Sequence, residues 1–498
     1  MLTIDQLKDR IGEVHDLGQA LSLLHWDQET QMPRGAAEAR ARQISTLSGH
    51  LHRLATAKDI GEALRHFAAD GKDLAEDDRL MVREALWDHD RATKLPEDFV
   101  REESELTSKA HFAWVDARKA DDFDIFRPYL ERIVDLCRRK ADLYGFEGSP
   151  YNGLLAGYER GMTAEALKPL FAELATRQKN LIARIAASPR QPDRAWLDQK
   201  WPIDAQEAFS RAILEQMTFD FDHGRLDVAA HPFCTSFSCN DVRLTTRYSE
   251  DDLFSSLYSA MHEGGHGLYE RGLDEHWNRT PLGDSVSLGI HESQSRMWEN
   301  MIGRSRPFWK HNLPALKKAF PGMLDHVTVD QAYACANTVR PSLIRVEADE
   351  CTYNLHIIIR FEIELELLEG RLAPKDIPEL WNAKYKDYLG LDVPSNALGC
   401  LQDIHWSMGG LGYFPTYTLG NLYAAQLFEA ILRDIPDLDD RIEAGDLKTL
   451  REWLRTQIHL PGRRMTAPQL IEKVTGQRPT HEPYMRYLET KFGQLYNL

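Results

Sequence analysis

Cysteine is scarce in this chain: six thiols in 498 residues, at positions 137, 234, 239, 335, 351 and 400, with no CxxC pair. That spacing excludes a disulfide framework and fits reduced, buried thiols in a cytoplasmic protein. Positive charge is also short. Sixty Lys+Arg stand against 77 Asp+Glu, a net charge of −17. The balance argues against a nucleic-acid binder and against a polybasic membrane-surface protein, although a local basic groove remains compatible with it. No apolar run approaches roughly 18 residues, so no transmembrane helix is expected. Asp5, Lys8, Asp9 and Arg10 interrupt the apolar core that a signal peptide would need. Repeats, low-complexity linkers and blocks of like charge are missing as well.

What is present is ordinary for a folded protein: 43% hydrophobic and 28% charged residues. Length alone suggests about three domains and permits a large core without disulfides. Most of the chain carries helical periodicity. Residues 3–25 repeat apolar positions at helical spacing, with Thr3 and Gln6 as a capping box. Further helices are expected near 35–57, 75–93, 97–120, 126–144 and 163–187, with loops at 145–150 and 189–192. The segment HPFCTSFSCNDVRLTTRY (231–248) breaks the habit and reads as two short strands joined at Asn240-Asp241. Helices resume near 252–272, 288–303, 343–369, 376–388 and 418–434. The class is mainly α with a small β element.

Immediately after that element comes His262-Glu263-Gly264-Gly265-His266. Residues four apart share one helix face, so both imidazoles can hold one metal ion while Glu263 projects beside it. A glutamate there can take a proton from a water the metal polarises and pass it to a leaving amine. Gly264 and Gly265 each cost a helix interior roughly 0.5–1 kcal/mol against alanine. They point to close approach by another backbone or substrate, or to tight helix packing. A catalytic zinc usually takes three protein ligands. The metzincin pattern would need Gly at 269 and His at 272, where this chain has Tyr269 and Gly272. Glu270 lies two turns from His262, roughly 12 Å along the axis, too far to share the ion. Glu292 is the next candidate, with room for a turn through Pro281–Asp284 before a second, crossing helix. A surface ion pair with Arg296 is the alternative for Glu292.

Five ordered blocks then become recognisable: DVRLT (241–245), HEGGH (262–266), HESQ (291–294), IRVEAD (344–349) and GCLQDIHW (399–406). With HWDQETQMPRGAAEAR (25–40), they make the chain resemble the carboxypeptidase Taq family of zinc metallocarboxypeptidases over nearly its whole length. The resemblance implies a helical clamshell around a deep substrate groove, similar to neurolysin and angiotensin-converting enzyme. It implies a single peptidase domain over 1–498 with two lobes flanking the groove. It implies removal of single residues from peptide C-termini with broad specificity, by a cytoplasmic homodimer. It also implies one zinc ion per chain, which cobalt can replace, held by His262, His266 and Glu292, with Glu263 as general base.

Peptide hydrolysis further needs a donor to the developing oxyanion. His405, Tyr413 and Tyr417, beside the Gly-rich turn of 402–421, are candidates, because related helical peptidases carry such donors on a Gly-rich loop. They could equally be packed core residues. An exopeptidase must also bind a free carboxylate, for which arginine's planar fork is suited. Arg345 leads, with Asp349 four residues on either pairing with it or orienting it, and Arg340 and Arg243 are alternatives. Asp241, Arg243 and Thr245 share one strand face, read as lining the groove and pairing with substrate backbone. The rivals are an endo-acting or dipeptide-releasing peptidase on the same fold, and a silent peptide-binding protein.

Overall fold

The computed structural model describes residues 2–498. The chain is mainly helical, with one three-stranded sheet. The first helix, Ile4–Thr30, begins at the Thr3/Gln6 capping box read from the sequence. The helices Glu76–Lys94, Glu97–Ala120, Phe123–Tyr144 and Ala164–Ala187 follow the expected periodicity closely. Periodicity missed Lys58–Asp70, Ile203–Gln216, Arg306–Ala319, Val329–Ala336 and the helices that end in Glu482–Tyr496.

Two hydrophobic clusters form among the described residues. The large one runs through most of the chain. The small one joins Leu7 and Ile11 of the first helix to Ile60, Leu64, Met81 and Val82, and closes on Trp277 and Leu282. Those last two residues belong to the connection between the helices Leu253–Gly272 and Leu288–Arg296, so the N-terminal helices pack directly on that connection. Ion pairs Arg279–Asp16, Arg463–Asp88 and Arg464–Asp77 reinforce the same junction.

The sheet contains β1 (Gly224–Val228), β2 (Cys234–Ser238) and β3 (Asp241–Thr246), in the order β1-β3-β2. The expected hairpin is present as antiparallel β2 and β3. The unexpected strand β1 pairs parallel to β3. Its sequence, GRLDV, is short, with two of its five residues charged, and it becomes a strand only because β3 offers a free edge. The six cysteines are unpaired, five of them buried. Among the described residues no helix is long and apolar enough to cross a membrane.

Candidate metal centre

The helix Leu253–Gly272 carries HEGGH. Its N-cap is Asp252, whose carboxylate accepts from the backbone N–H of Phe254 and Ser255. The helix Leu288–Arg296, continued by a π-turn over Met297–Ile302, lies against it. Gly265 allows this approach. A Cβ there would sit 2.6 Å from the Ser295 Cα and 2.8 Å from the Gln294 carbonyl oxygen. Gly264 instead faces the Leu214 and Met217 side chains. Both glycines therefore serve helix packing, and at Gly265 the neighbour is backbone.

This contact brings Glu292 to the histidines. Glu292 Oε2 lies 3.5 Å from His266 Nε2 and 3.7 Å from His262 Nε2. All three ligand atoms fall within 4.8 Å of one another. Two donors about 2.1 Å from one ion at a tetrahedral angle would lie about 3.4 Å apart. The separations thus fit a shared cation and are too long for direct hydrogen bonds. Glu292 is 5% exposed, so it is no surface residue. Its pairing with Arg296 is real, but it occupies the other oxygen, Oε1, at 2.6 Å.

The supporting residues fix which ring nitrogen faces the centre of the triad. His262 Nδ1 lies 2.9 Å from Glu299 Oε2. A carboxylate there makes Nδ1 the protonated nitrogen and leaves Nε2 with its lone pair. Glu299 also accepts from Arg296 and Arg304. His266 Nδ1 meets His291 Nδ1 at 2.5 Å, and His291 Nε2 meets Glu270 Oε1 at 2.7 Å. Ser236 on β2 donates to the other oxygen of Glu270. Glu270 therefore reaches His266 only through His291. Burial drives the His266 pKa down to about 3, which keeps the ring neutral and able to ligate. Burial pushes Glu263 up to about 7, with the nearby Glu292 adding to the shift and His262 opposing it. A carboxylate poised near neutrality suits a general base.

Beyond the triad, an aromatic and arginine chain leads away from Glu292. The Arg296 guanidinium lies 4.2 Å from the Tyr353 ring centre, and Tyr353 lies beside Tyr417. Tyr417 sits one helical turn before Gly420, where a Cβ would strike Glu292 at 2.5 Å. His405 Nε2 lies 3.1 Å from the Tyr417 hydroxyl. Burial, then the charge of Arg345, lowers the His405 pKa to about 3. A neutral His405 donating to Tyr417 leaves the tyrosine's own proton free for a third partner. Tyr413 packs edge-on against Tyr158 and tilted against Tyr417. Buried Glu364 anchors this loop, accepting from the Trp406 indole, the Gly412 N–H and the Tyr151 hydroxyl.

Arg345 corrects one expectation. The helix expected over 343–369 begins only at Tyr353, and Arg345 occupies a short 3₁₀ turn. Asp349 is therefore not its partner. Asp349 caps the next turn, accepting from the N–H groups of Cys351 and Thr352, and also from that of Arg340. Asp403 holds Arg345 instead, at 2.9 Å from both Nε and Nη2, while Nη1 donates to the Tyr353 hydroxyl. Of the five guanidinium N–H groups, two on Nη1 and Nη2 remain for a ligand. Arg340 is exposed. Arg243 is clamped by Asp241 with both contacts at 2.9 Å and lies over the Trp26 ring.

The strand expectation also changes. β3 is the central strand, with β1 on one side and β2 on the other, so its backbone has no free edge for a substrate. β2 is the edge strand near the site: burial and the charges of Glu263 and Glu270 raise its Cys234 thiol. Sequence reasoning missed Glu299, His291, Asp403 and Glu364 as site residues. It also missed His231, whose pKa is lowered first by burial and then by the charges of Arg345, Arg247 and His262. A histidine opening the one β segment beside HEGGH was the available signal.

Helical ligands one turn apart, a glutamate from a crossing helix and an acidic residue between the histidines define a helical metallopeptidase. The sequence pattern of the carboxypeptidase Taq (M32) metallopeptidases matches residues 6–492. The chain belongs to that family and is a metal-dependent carboxypeptidase. It is 43% identical over 489 residues to thermostable carboxypeptidase 1 of Thermus thermophilus, covering 95% of each chain. It is 38% identical to carboxypeptidase 1 of Bacillus subtilis, covering 98% of each. The crystal structure of the M32 carboxypeptidase of Deinococcus radiodurans superposes with a TM-score of 0.97 at 42% identity, over 99% of both chains.

Proposed function

We propose that the enzyme removes single residues from peptide C-termini with one zinc ion, held by His262, His266 and Glu292. The observation that carries this reading is the 3.5 Å and 3.7 Å spacing of the Glu292 oxygen from the two histidine nitrogens. Zinc, when bound, supplies a Lewis acid that brings a water towards ionisation near neutral pH and polarises the scissile carbonyl. Glu263 takes the water's proton and returns it to the departing amine. Tyr417, held by His405, donates to the carbonyl oxygen as charge builds there, with Tyr413 flanking it. Arg345, fixed by Asp403 and Tyr353, receives the terminal carboxylate on its two remaining N–H groups. Asp241 and Arg243 support the wall of the site as a clamped pair stacked on Trp26.

The family resemblance supports replacement of zinc by cobalt and a cytoplasmic homodimer acting on peptides, without nucleic-acid or membrane partners. It likewise supports one peptidase domain of two lobes. The test compares a short unstructured peptide with its C-terminally amidated twin. The free acid should be strongly preferred, and the first product should be a free amino acid. Equal rates, or a dipeptide as first product, would overturn the reading.

A further inference from the structure

On a different pair of helices, three side chains repeat the spacing of the metal triad, with one imidazole between two carboxylates. His481 caps the last helix, Glu482–Tyr496, Glu482 is its first residue, and Glu173 faces both from Ala164–Ala187. His481 is 5% exposed, and its Nε2 is buried without a hydrogen-bond partner. A buried ring nitrogen in that condition calls for a partner. Nε2 lies 3.6 Å from Glu173 Oε1 and 3.7 Å from Glu482 Oε1. These distances exceed a hydrogen bond. They match the separations between donors that share one ion, and all three ligand atoms lie within 4.8 Å of one another.

The supporting arginine is arranged as it is at the first centre. There Arg296 occupies one oxygen of Glu292 and leaves the other for the ion. Here Arg177 donates to Glu482 Oε2 at 2.8 Å and leaves Oε1 turned to His481. Arg177 also pairs with Glu489, so its charge is balanced and Glu173 keeps the cluster anionic. The backbone around His481 is pinned. The Thr480 N–H donates to Gln426, and the Glu482 N–H donates to the Thr480 hydroxyl.

We propose that Glu173, His481 and Glu482 form a second, structural site for a divalent ion of the zinc type, fastening the last helix to Ala164–Ala187. An imidazole with two carboxylates suits Zn²⁺ better than Mg²⁺ or Ca²⁺, which take oxygen ligands. The Glu173 side chain is 64% exposed and must be immobilised on binding, so this site is weaker than the catalytic one.

The test titrates Zn²⁺ into enzyme already holding one equivalent and measures bound metal by equilibrium dialysis. Wild type should take up a second equivalent and gain thermal stability with it. Glu173→Gln and His481→Asn should bind that equivalent at least tenfold more weakly, lose the zinc-dependent gain in Tm, and keep wild-type peptidase activity. Glu173 is on the surface, so its variant will fold even if the His481 variant does not. Saturation of wild type at one equivalent would overturn the proposal. So would a second equivalent that persists unchanged in either folded variant, since that ion would sit elsewhere.

Discussion

Glu299 offers the sharpest perturbation, because it meets His262 at Nδ1, away from the Nε2 that faces Glu292. Its Oε2 receives the His262 Nδ1 proton at 2.9 Å, and its Oε1 receives Arg304 at 3.1 Å. The charges of Arg296 and Arg304 and the bond from His262 hold its carboxyl well below the usual range despite burial. Glu299→Gln keeps the shape and removes the charge. Its amide nitrogen must then face either the His262 N–H or a guanidinium, leaving donor against donor. His262 becomes a weaker base, and two buried cations lose one counter-charge beside an ion that is itself positive. Loss of such an orienting partner weakens metal binding about 10- to 100-fold, roughly 1.4–2.7 kcal/mol. Both effects act in the same direction here, so a value near the upper end is expected. Chelator competition measures it directly. At saturating zinc, kcat should stay within about tenfold of wild type, because the reacting groups are untouched. An unchanged metal Kd would refute the reasoning. So would a normal Kd with a collapsed kcat, which would move Glu299 from ligand support to the chemistry itself.

Three other substitutions test separate parts of the site. Glu263→Gln should retain stoichiometric zinc and lose about 10²–10⁴ in kcat; near-normal turnover by zinc-replete protein would remove its role as base. Arg345→Ala should lose roughly 30- to 4,000-fold in kcat/KM on free-acid peptides, the equivalent of about 2–5 kcal/mol for breaking a buried charge pair. Its preference over amidated peptides should largely vanish while metal content holds, and a surviving preference ratio would assign the carboxylate to another residue. Glu364→Gln probes the loop anchor. Burial raises the Glu364 pKa from 4.5 to about 7, so its stabilisation is complete below about pH 4.5 and is lost as pH rises through 7. The stability difference between wild type and variant, followed by chemical denaturation, should therefore narrow over that window; a pH-independent difference would show that Glu364 is ionised throughout.

Gly265 tests the packing that assembles the centre. Gly265→Ala places a methyl 2.6 Å from the Ser295 Cα, a contact that only backbone movement can relieve. A loss of about 1–3 kcal/mol in stability is expected, with weakened metal binding, because the two ligand helices are pushed apart. Full stability with full metal affinity would show that the helix pair is not constrained there.

What depends on near neighbours was legible along the chain. Helical class, the capping box at Thr3, the hairpin at Asn240-Asp241 and the shared face of His262 and His266 all follow from spacing within a few residues. Glu292 was legible only as a candidate, since spacing alone left it open to a surface pairing with Arg296. The same local rule misled at 343–352, where helical periodicity suggested Arg345 would pair with Asp349 four residues on. That turn is 3₁₀, and its arginine is claimed by Asp403, 58 residues away in the chain. Strand β1 was illegible because its reason to be extended is the open edge of β3. The packing of distant segments brings Glu299 to His262 and His291 to His266, fills both edges of β3, and sets Glu173 beside His481. Each of these rests on a contact between segments far apart in sequence, where side-chain direction and burial depend on which helices pack together. Periodicity carries no information about that choice.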